Sequence, residues 1–139
     1  KEGGKERIAG LRGEMNEAME AGAGIYRDEG LLRATCERLS SLRGRFANIR
    51  LDDRSRTFNT ELPAALELDL MLDVAEAIAH SALARKESRG SHQRTDFPER
   101  DDRNFLRHTL AYRTDIAPRI EYREVVITKW PPAERVYGS

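Results

Sequence analysis

The sequence contains one cysteine, Cys36. An internal disulfide is excluded, and the chain suits a reducing compartment. Net charge is also missing: 24 basic residues balance 24 acidic ones. That balance argues against general attraction to nucleic acid or to an anionic membrane surface. The longest apolar region, Leu62 to Ala84, is broken by Glu67, Asp69, Asp73, Glu76 and His80. A membrane-spanning helix needs about 20 predominantly apolar residues, so direct insertion is not expected. No Gly-x-Gly-x-x-Gly follows a strand, so no dinucleotide loop is visible. Lys1-Glu2-Gly3-Gly4-Lys5 is not a signal peptide, and no initiator methionine precedes it. We therefore expect a piece of a longer chain.

What is present fits one domain of 139 residues with a modest core. Hydrophobic residues make up 39%, against about 45–50% in typical domains. We expect a mainly α fold: a three-helix antiparallel bundle over residues 5–90. A charged loop, a β-hairpin and an extended C-terminal arm fill residues 91–139.

The first helix is expected from Lys5 to about Ala21. Ile8, Leu11, Met15 and Ala18 or Met19 fall on one face. Gly22 and Gly24 would end it through positive φ. The second starts at Asp28, whose carboxylate can cap the first turn. Leu32, Cys36 (or Thr35), Leu39, Leu42, Phe46 and Ile49 form its single apolar stripe.

The third helix is expected from Asn59 or Thr60 to about Ser88, with Pro63 in its first turn and Gly90 as C-cap. Leu62, Leu66, Leu70, Met71, Val74, Ala75, Ile78, Ala82 and Leu83 surround most of it. Two short helices cannot cover so much apolar surface, so something else must. The remaining polar stripe, Asp69, Asp73, Glu76 and His80, is expected to be exposed. Farther on, 105–112 and 119–127 are rich in β-formers and joined by Arg113–Pro118, which gives the hairpin. Trp130 to Tyr137, with Pro131-Pro132, would be the extended arm.

Chemistry-bearing residues each have a plain structural reading. Glu76 and His80 could share a metal, but a second Glu-x-x-His is absent and a helix-supporting pair is favoured. His92 has no activated Ser or Cys nearby in sequence, which favours a hydrogen-bonded interface histidine over a catalytic one. His108 falls in a strand and reads as structural. Cys36 lies on an apolar stripe and reads as a small hydrophobe rather than a reactive thiol. Arg85, Arg89, Arg94, Arg100 and Arg103 are interleaved with Glu87, Asp96, Glu99, Asp101 and Asp102. Alternating signs favour an ion-pair network over a phosphate site. We assign no catalytic, cofactor-binding or metal residue in this chain.

Certain stretches resemble a known family. They are Ala23-Gly24-Ile25-Tyr26-Arg27, Phe58-Asn59-Thr60, Ala79-His80-Ser81-Ala82, Arg85 to Arg94 and Arg100-Asp101-Asp102. Asn104 to Ala111 and Pro131-Pro132-Ala133 with Arg135 and Tyr137 complete the set. Together they resemble the C-terminal region of the flavoprotein subunits of fumarate reductase and succinate dehydrogenase. The Glu-Ser-Arg-Gly-x-His piece alone is shared with L-aspartate oxidases. Ala111-Tyr112-Arg113 and Val136-Tyr137-Gly138 lean to fumarate reductase, and Asp96-Phe97-Pro98 leans to succinate dehydrogenase.

The resemblance implies a parent that interconverts succinate and fumarate in electron transport. It implies FAD bound outside this chain, usually through a histidine, and substrate residues in preceding domains. Its implied partners are the flavin-binding domain, an iron–sulfur subunit and membrane-anchor subunits, with the parent peripheral to the cytoplasmic face of the inner membrane. This chain alone would be inactive. Its docking face would comprise Arg85, Glu87, Arg89, His92, Arg94, Asp96, Arg100, Asp101 and Asp102. Arg89 and Arg94 would form bidentate pairs with carboxylates of the flavin domain. Two alternatives remain: a stand-alone helical interaction module, and the corresponding domain of an L-aspartate oxidase.

Overall fold

The computed structural model describes residues 6–52 and 54–133. Helix α1 spans Ile8–Gly22, α2 spans Glu29–Phe46 and α3 spans Glu61–Ala84. Strand β1 is Tyr26–Arg27, and β2 is Gln93–Arg94. A one-turn helix α4 (Asp102–Phe105) leads into the hairpin of β3 (Arg107–Tyr112) and β4 (Arg119–Glu124).

The three long helices share one core. Ile8, Leu11 and Met15 of α1 meet Cys36, Leu39 and Leu42 of α2 and Ala65, Leu68, Leu72, Ala75 and Ala79 of α3. Polar ties give the direction of packing. Thr35, early in α2, donates to the Ala18 carbonyl late in α1 (3.2 Å). Arg45, late in α2, pairs with Glu6 and Glu14 at the opposite end. Arg12, early in α1, meets Glu67, early in α3, so successive helices run antiparallel, as expected.

Caps follow the sequence closely. Asp28 Oδ1 accepts from the Leu31 amide (2.8 Å). Asn59 Oδ1 accepts from Glu61 and Leu62 at the start of α3. Each removes a free amide that the first turn of a helix leaves over.

Several expectations are corrected. Neither Gly22 nor Gly24 has positive φ; among the described glycines only Gly90 does, at 59°. Gly22 is needed for a different reason. A Cβ there would lie 1.8 Å from Thr35 Oγ1 and 2.6 Å from the Leu31 carbonyl. The glycine permits the close crossing of α1 and α2.

Helix α3 stops at Ala84, not near Ser88, and Gly90 shapes a later turn in which Arg89 and His92 exchange backbone hydrogen bonds. The acidic stripe of α3 is not exposed. Arg43 of α2 lies across it, with Nε to Glu76 Oε2 (2.8 Å), Nη1 to Asp69 (3.0 Å) and Nη2 to Asp73 (2.5 Å). Burial alone would lower the Arg43 pKa. Its bond to Glu76 and its attraction to that carboxylate and Asp73 outweigh this and hold it above the ordinary value.

The hairpin forms with its turn at 113–118, as read. Arg107 pairs with Glu124 and Tyr112 with Arg119. Phe105 belongs to α4, because the Asp101 carboxylate caps that turn through the Asn104 amide. Residues 125–127 lie beyond the last pair of the ladder and are not strand. Trp130 is exposed and residues 130–133 have no regular structure. Arg135, Tyr137 and the end of the expected arm lie outside the described residues.

Candidate functional site

Side-chain hydrogen bonds concentrate in the charged segment after α3. Its centre is Glu87, whose side chain is fully buried. Oε1 accepts from Arg85 Nη1 (2.5 Å) and Arg89 Nε (2.9 Å). Oε2 accepts from Arg89 Nη2 (3.2 Å) and the Asp101 amide (2.7 Å). A buried carboxylate is tolerable only with such a complete set of donors.

Each arginine then reaches elsewhere. Arg85 donates to the carbonyls of Phe105 and Arg107 and to Thr109 Oγ1, which ties the end of α3 to the hairpin. Its guanidinium also lies 5.6 Å from the Phe105 ring and 6.0 Å from the Tyr122 ring. Those two rings meet edge to face at 5.9 Å. Arg89 reaches Asp102, which also pairs with Arg100. Hydrogen bonding to Arg89 is the main cause that holds the Asp102 carboxyl below its ordinary range.

Arg94 is the second centre. Its side chain is fully buried. Nε and Nη2 grip Asp96 as a fork, both at 2.7 Å. Nη1 points at the last carbonyls of α3, Ala82 (3.1 Å) and Leu83 (3.2 Å). A guanidinium at the negative end of a helix satisfies orphan carbonyls and the dipole together. This is why α3 ends four residues earlier than its composition suggests.

Asp96 also accepts from the Glu29 amide at the start of α2 (3.0 Å). Its pKa is lowered to about 2, chiefly by the Arg94 fork. The parallel pair β1–β2 runs alongside, with Tyr26 opposite Gln93 and Arg27 opposite Arg94.

His92 sits where these elements join. Arg27 Nη1 donates to its Nδ1 (3.1 Å), so Nε2–H donates to the Arg85 carbonyl (3.0 Å). Burial first, and then the surrounding Arg27, Arg94 and Arg85 charges, lower its pKa despite the Arg85 carbonyl. The ring is neutral at pH 7 and both nitrogens are engaged in holding the loop.

The structure thus joins every residue of the expected face into one network, but not in the expected way. The forks of Arg89 and Arg94 close on Glu87 and Asp96 of this same chain. The expectation of carboxylates on another domain is corrected for both. Glu87 and Arg94 can act on an outer surface only by holding its shape. Arg85 and His92 are partly exposed, and Asp96, Arg100 and Asp102 are exposed.

Sequence reasoning missed Arg43 and the roles of Arg27, Thr109 and Gly22, because the partners that define those roles lie elsewhere along the chain.

Elsewhere the chemistry is quiet. Cys36 is buried and its thiol is pushed up to about 11 by desolvation, so it is a poor nucleophile. His80 is lowered by burial, which Glu76 only partly opposes, and Glu76 is bonded to Arg43. No group of His, Cys, Asp or Glu suited to a metal occurs among the described residues.

The family described as fumarate reductase flavoprotein C-term matches residues 12–137. The chain belongs to this family. It is 57% identical to the fumarate reductase flavoprotein subunit of Mycobacterium tuberculosis H37Rv over 136 residues, which is 97% of this chain and 23% of that protein. It is 38% identical to the succinate dehydrogenase flavoprotein subunit of Rickettsia bellii, over 94% of this chain and 23% of that protein. The fold matches a chain of Escherichia coli quinol fumarate reductase with a TM-score of 0.91 at 52% identity, covering 96% of this chain and 23% of that one. The chain therefore spans about a quarter of the length of the relatives it matches. Among the described residues, no helix is long and apolar enough to cross a membrane.

Proposed function

We propose that this chain is the C-terminal supporting domain of an FAD-dependent flavoprotein subunit that interconverts succinate and fumarate in electron transport. Among the described residues, the helices between Ile8 and Ala84 form its bundle, and 85–133 its charged loop, hairpin and the start of its arm. One observation carries the reading. The match runs along almost the whole chain yet covers only the C-terminal quarter of its relatives. The alternative of a free-standing interaction module has no comparable support. Identity is 50–57% to the fumarate reductase subunits but 38% to the succinate dehydrogenase ones, which favours fumarate reductase as the parent.

FAD belongs outside this chain on this reading. The described residues do not fit it: the guanidiniums that could grip a pyrophosphate are engaged by Glu87, Asp96 and Asp102. Among the described residues, no glycine-rich strand-to-helix turn is present to replace them. The loop, with Arg85, Arg89, His92, Asp96, Arg100, Asp101 and Asp102 toward its surface, is a shaped corner that registers this domain on the flavin-binding one. An iron–sulfur subunit and membrane anchors would complete the parent complex at the cytoplasmic face of the inner membrane.

The test is to purify the full-length subunit that carries this segment, with its partner subunits. It should contain FAD and reduce fumarate with a quinol donor, and residues 1–139 alone should be colourless and inactive. Arg89→Ala in the full subunit should loosen flavin retention or lower thermal stability. A full-length subunit without FAD or fumarate turnover would refute the proposed activity.

A further inference from the structure

One side of α3 faces away from the core described above. Leu62, Leu66, Leu70, Val74 and Ile78 recur at every fourth position, and all are exposed. Leu66 is 61% exposed, Leu70 64% and Val74 59%. At 1.5 Å per residue the row is about 24 Å long. Just before α3, Phe58 is 95% exposed and has φ of 57°. A phenylalanine in the left-handed region is strained, and here its ring faces solvent. Toward its far end the row borders a groove of about 670 Å³ between α3 and the hairpin turn, where Val74, Ala77, Tyr112 and Ile116 line it together with charged side chains that include Arg113 and Asp115. The charged side chains of α3 beside the row are paired: Asp69, Asp73 and Glu76 with Arg43, Asp73 also with Arg113 of the hairpin turn, and Glu67 with Arg12. An uncharged, contiguous apolar row of this length has the composition of an interface centre rather than of ordinary surface.

We infer that this row is the main adhesive seat for the preceding part of the same polypeptide. The inference rests on the reading that the chain is one end of a longer subunit. The occupant follows from length, because about three-quarters of each matched relative lies outside this chain. The charged loop registers the two parts, and the α3 row holds them together. Attachment is accordingly apolar and insensitive to salt, whereas exposed ion pairs weaken as salt rises.

The test uses the full-length subunit with the double substitution Leu70→Asp and Val74→Asp, and a milder pair, Leu70→Gln and Val74→Gln. Limited proteolysis at the junction ahead of α1 reads docking, and hydrogen exchange of α1 and α2 reads the bundle. The Asp pair should speed cleavage at least about ten-fold, given the transfer cost of burying charge in place of two large aliphatic groups. The Gln pair should speed it less, with α1 and α2 protection unchanged in both. Raising salt from about 0.1 to about 1 M should leave wild-type cleavage unchanged. Unchanged cleavage in both variants would overturn the inference. So would a wild-type dimer that the variants split without affecting the junction, since the seat would then belong to a second copy. Loss of α1 and α2 protection in both pairs would overturn it too, because the row would then be supporting its own bundle. Wild-type FAD content and fumarate turnover, measured in parallel, judge the proposed activity separately.

Discussion

The loop after α3 and the outer side of α3 are neighbours in sequence and opposites in chemistry. The loop is dense in charge, yet Glu87 and Arg94 have no exposed side chain, and their polar atoms are bonded within the chain. The outer side of α3 is nearly free of charge, yet leucines there stand in solvent. Charge density here marks a self-contained brace, and apolar exposure marks the surface to which we assign the rest of the polypeptide. A reading that looks for contact surfaces among charged residues alone passes over the apolar half of this comparison. A buried ion pair must find partners inside its own domain to fold at all, whereas an apolar stripe can wait for a neighbour.

The contrast can be broken most forcefully at Glu87. Glu87→Ala leaves Arg85 and Arg89 without their shared carboxylate and the Asp101 amide without its acceptor. Removing one partner of a buried charge cluster costs about 3–5 kcal/mol. Urea unfolding should show that loss, and a change under about 1 kcal/mol would mean the brace is dispensable.

Gly22→Ala comes next. The added methyl would meet Thr35 Oγ1 and the Leu31 carbonyl, and overpacking of this kind costs about 1–3 kcal/mol. The same unfolding assay should show it, and adding Thr35→Ala should recover only part, because the Leu31 carbonyl remains in the way.

Acid titration sharpens the loop's side of the comparison. Asp96 is held at about 2 against an ordinary 3.8. A carboxyl lowered by folding contributes stability that is complete above its unfolded value and fades as pH falls through its folded one. Thermal stability should therefore decline between about pH 4 and pH 2, and Asp96→Asn should flatten part of that decline. An identical slope in the variant would show that the Arg94 fork does not matter to folding.

The smallest effect is expected on the apolar side. Leu70→Gln in residues 1–139 should change stability by no more than about 0.5 kcal/mol, as for other exposed positions. A large loss would mean that α3 packs differently from the arrangement described.

Much of the bundle was legible in the sequence because its signals are local. Asp28 and Asn59 sit where caps belong, and Leu11, Met15, Leu39 and Leu42 repeat at helical spacing. The hairpin was legible in the β-formers on either side of 113–118. The excess apolar surface of α3 was legible too, because composition alone shows that two short helices cannot cover it. What could not be read depends on distant partners. Nothing near Arg43 announces three carboxylates on α3, and nothing near Gly22 announces Thr35. The end of α3 was misjudged because Arg94, ten residues beyond it, supplies the cap that Gly90 was expected to give. Within the charged loop, the membership of the network was legible but its closure upon itself was not. Charges in sequence show that pairs will form and leave open which ones.

Asp96 lies 67 residues beyond Glu29 and links the start of α2 to the end of α3, receiving the Glu29 amide on one side and the Arg94 fork on the other. During synthesis, the start of α2 emerges long before the residue that completes it. The bundle can collapse early around its leucines, but its final tightening waits for a fastener made much later. A chain cut just short of residue 96 would therefore keep the leucines of its bundle, while the first turn of α2 would rest on the Asp28 cap alone.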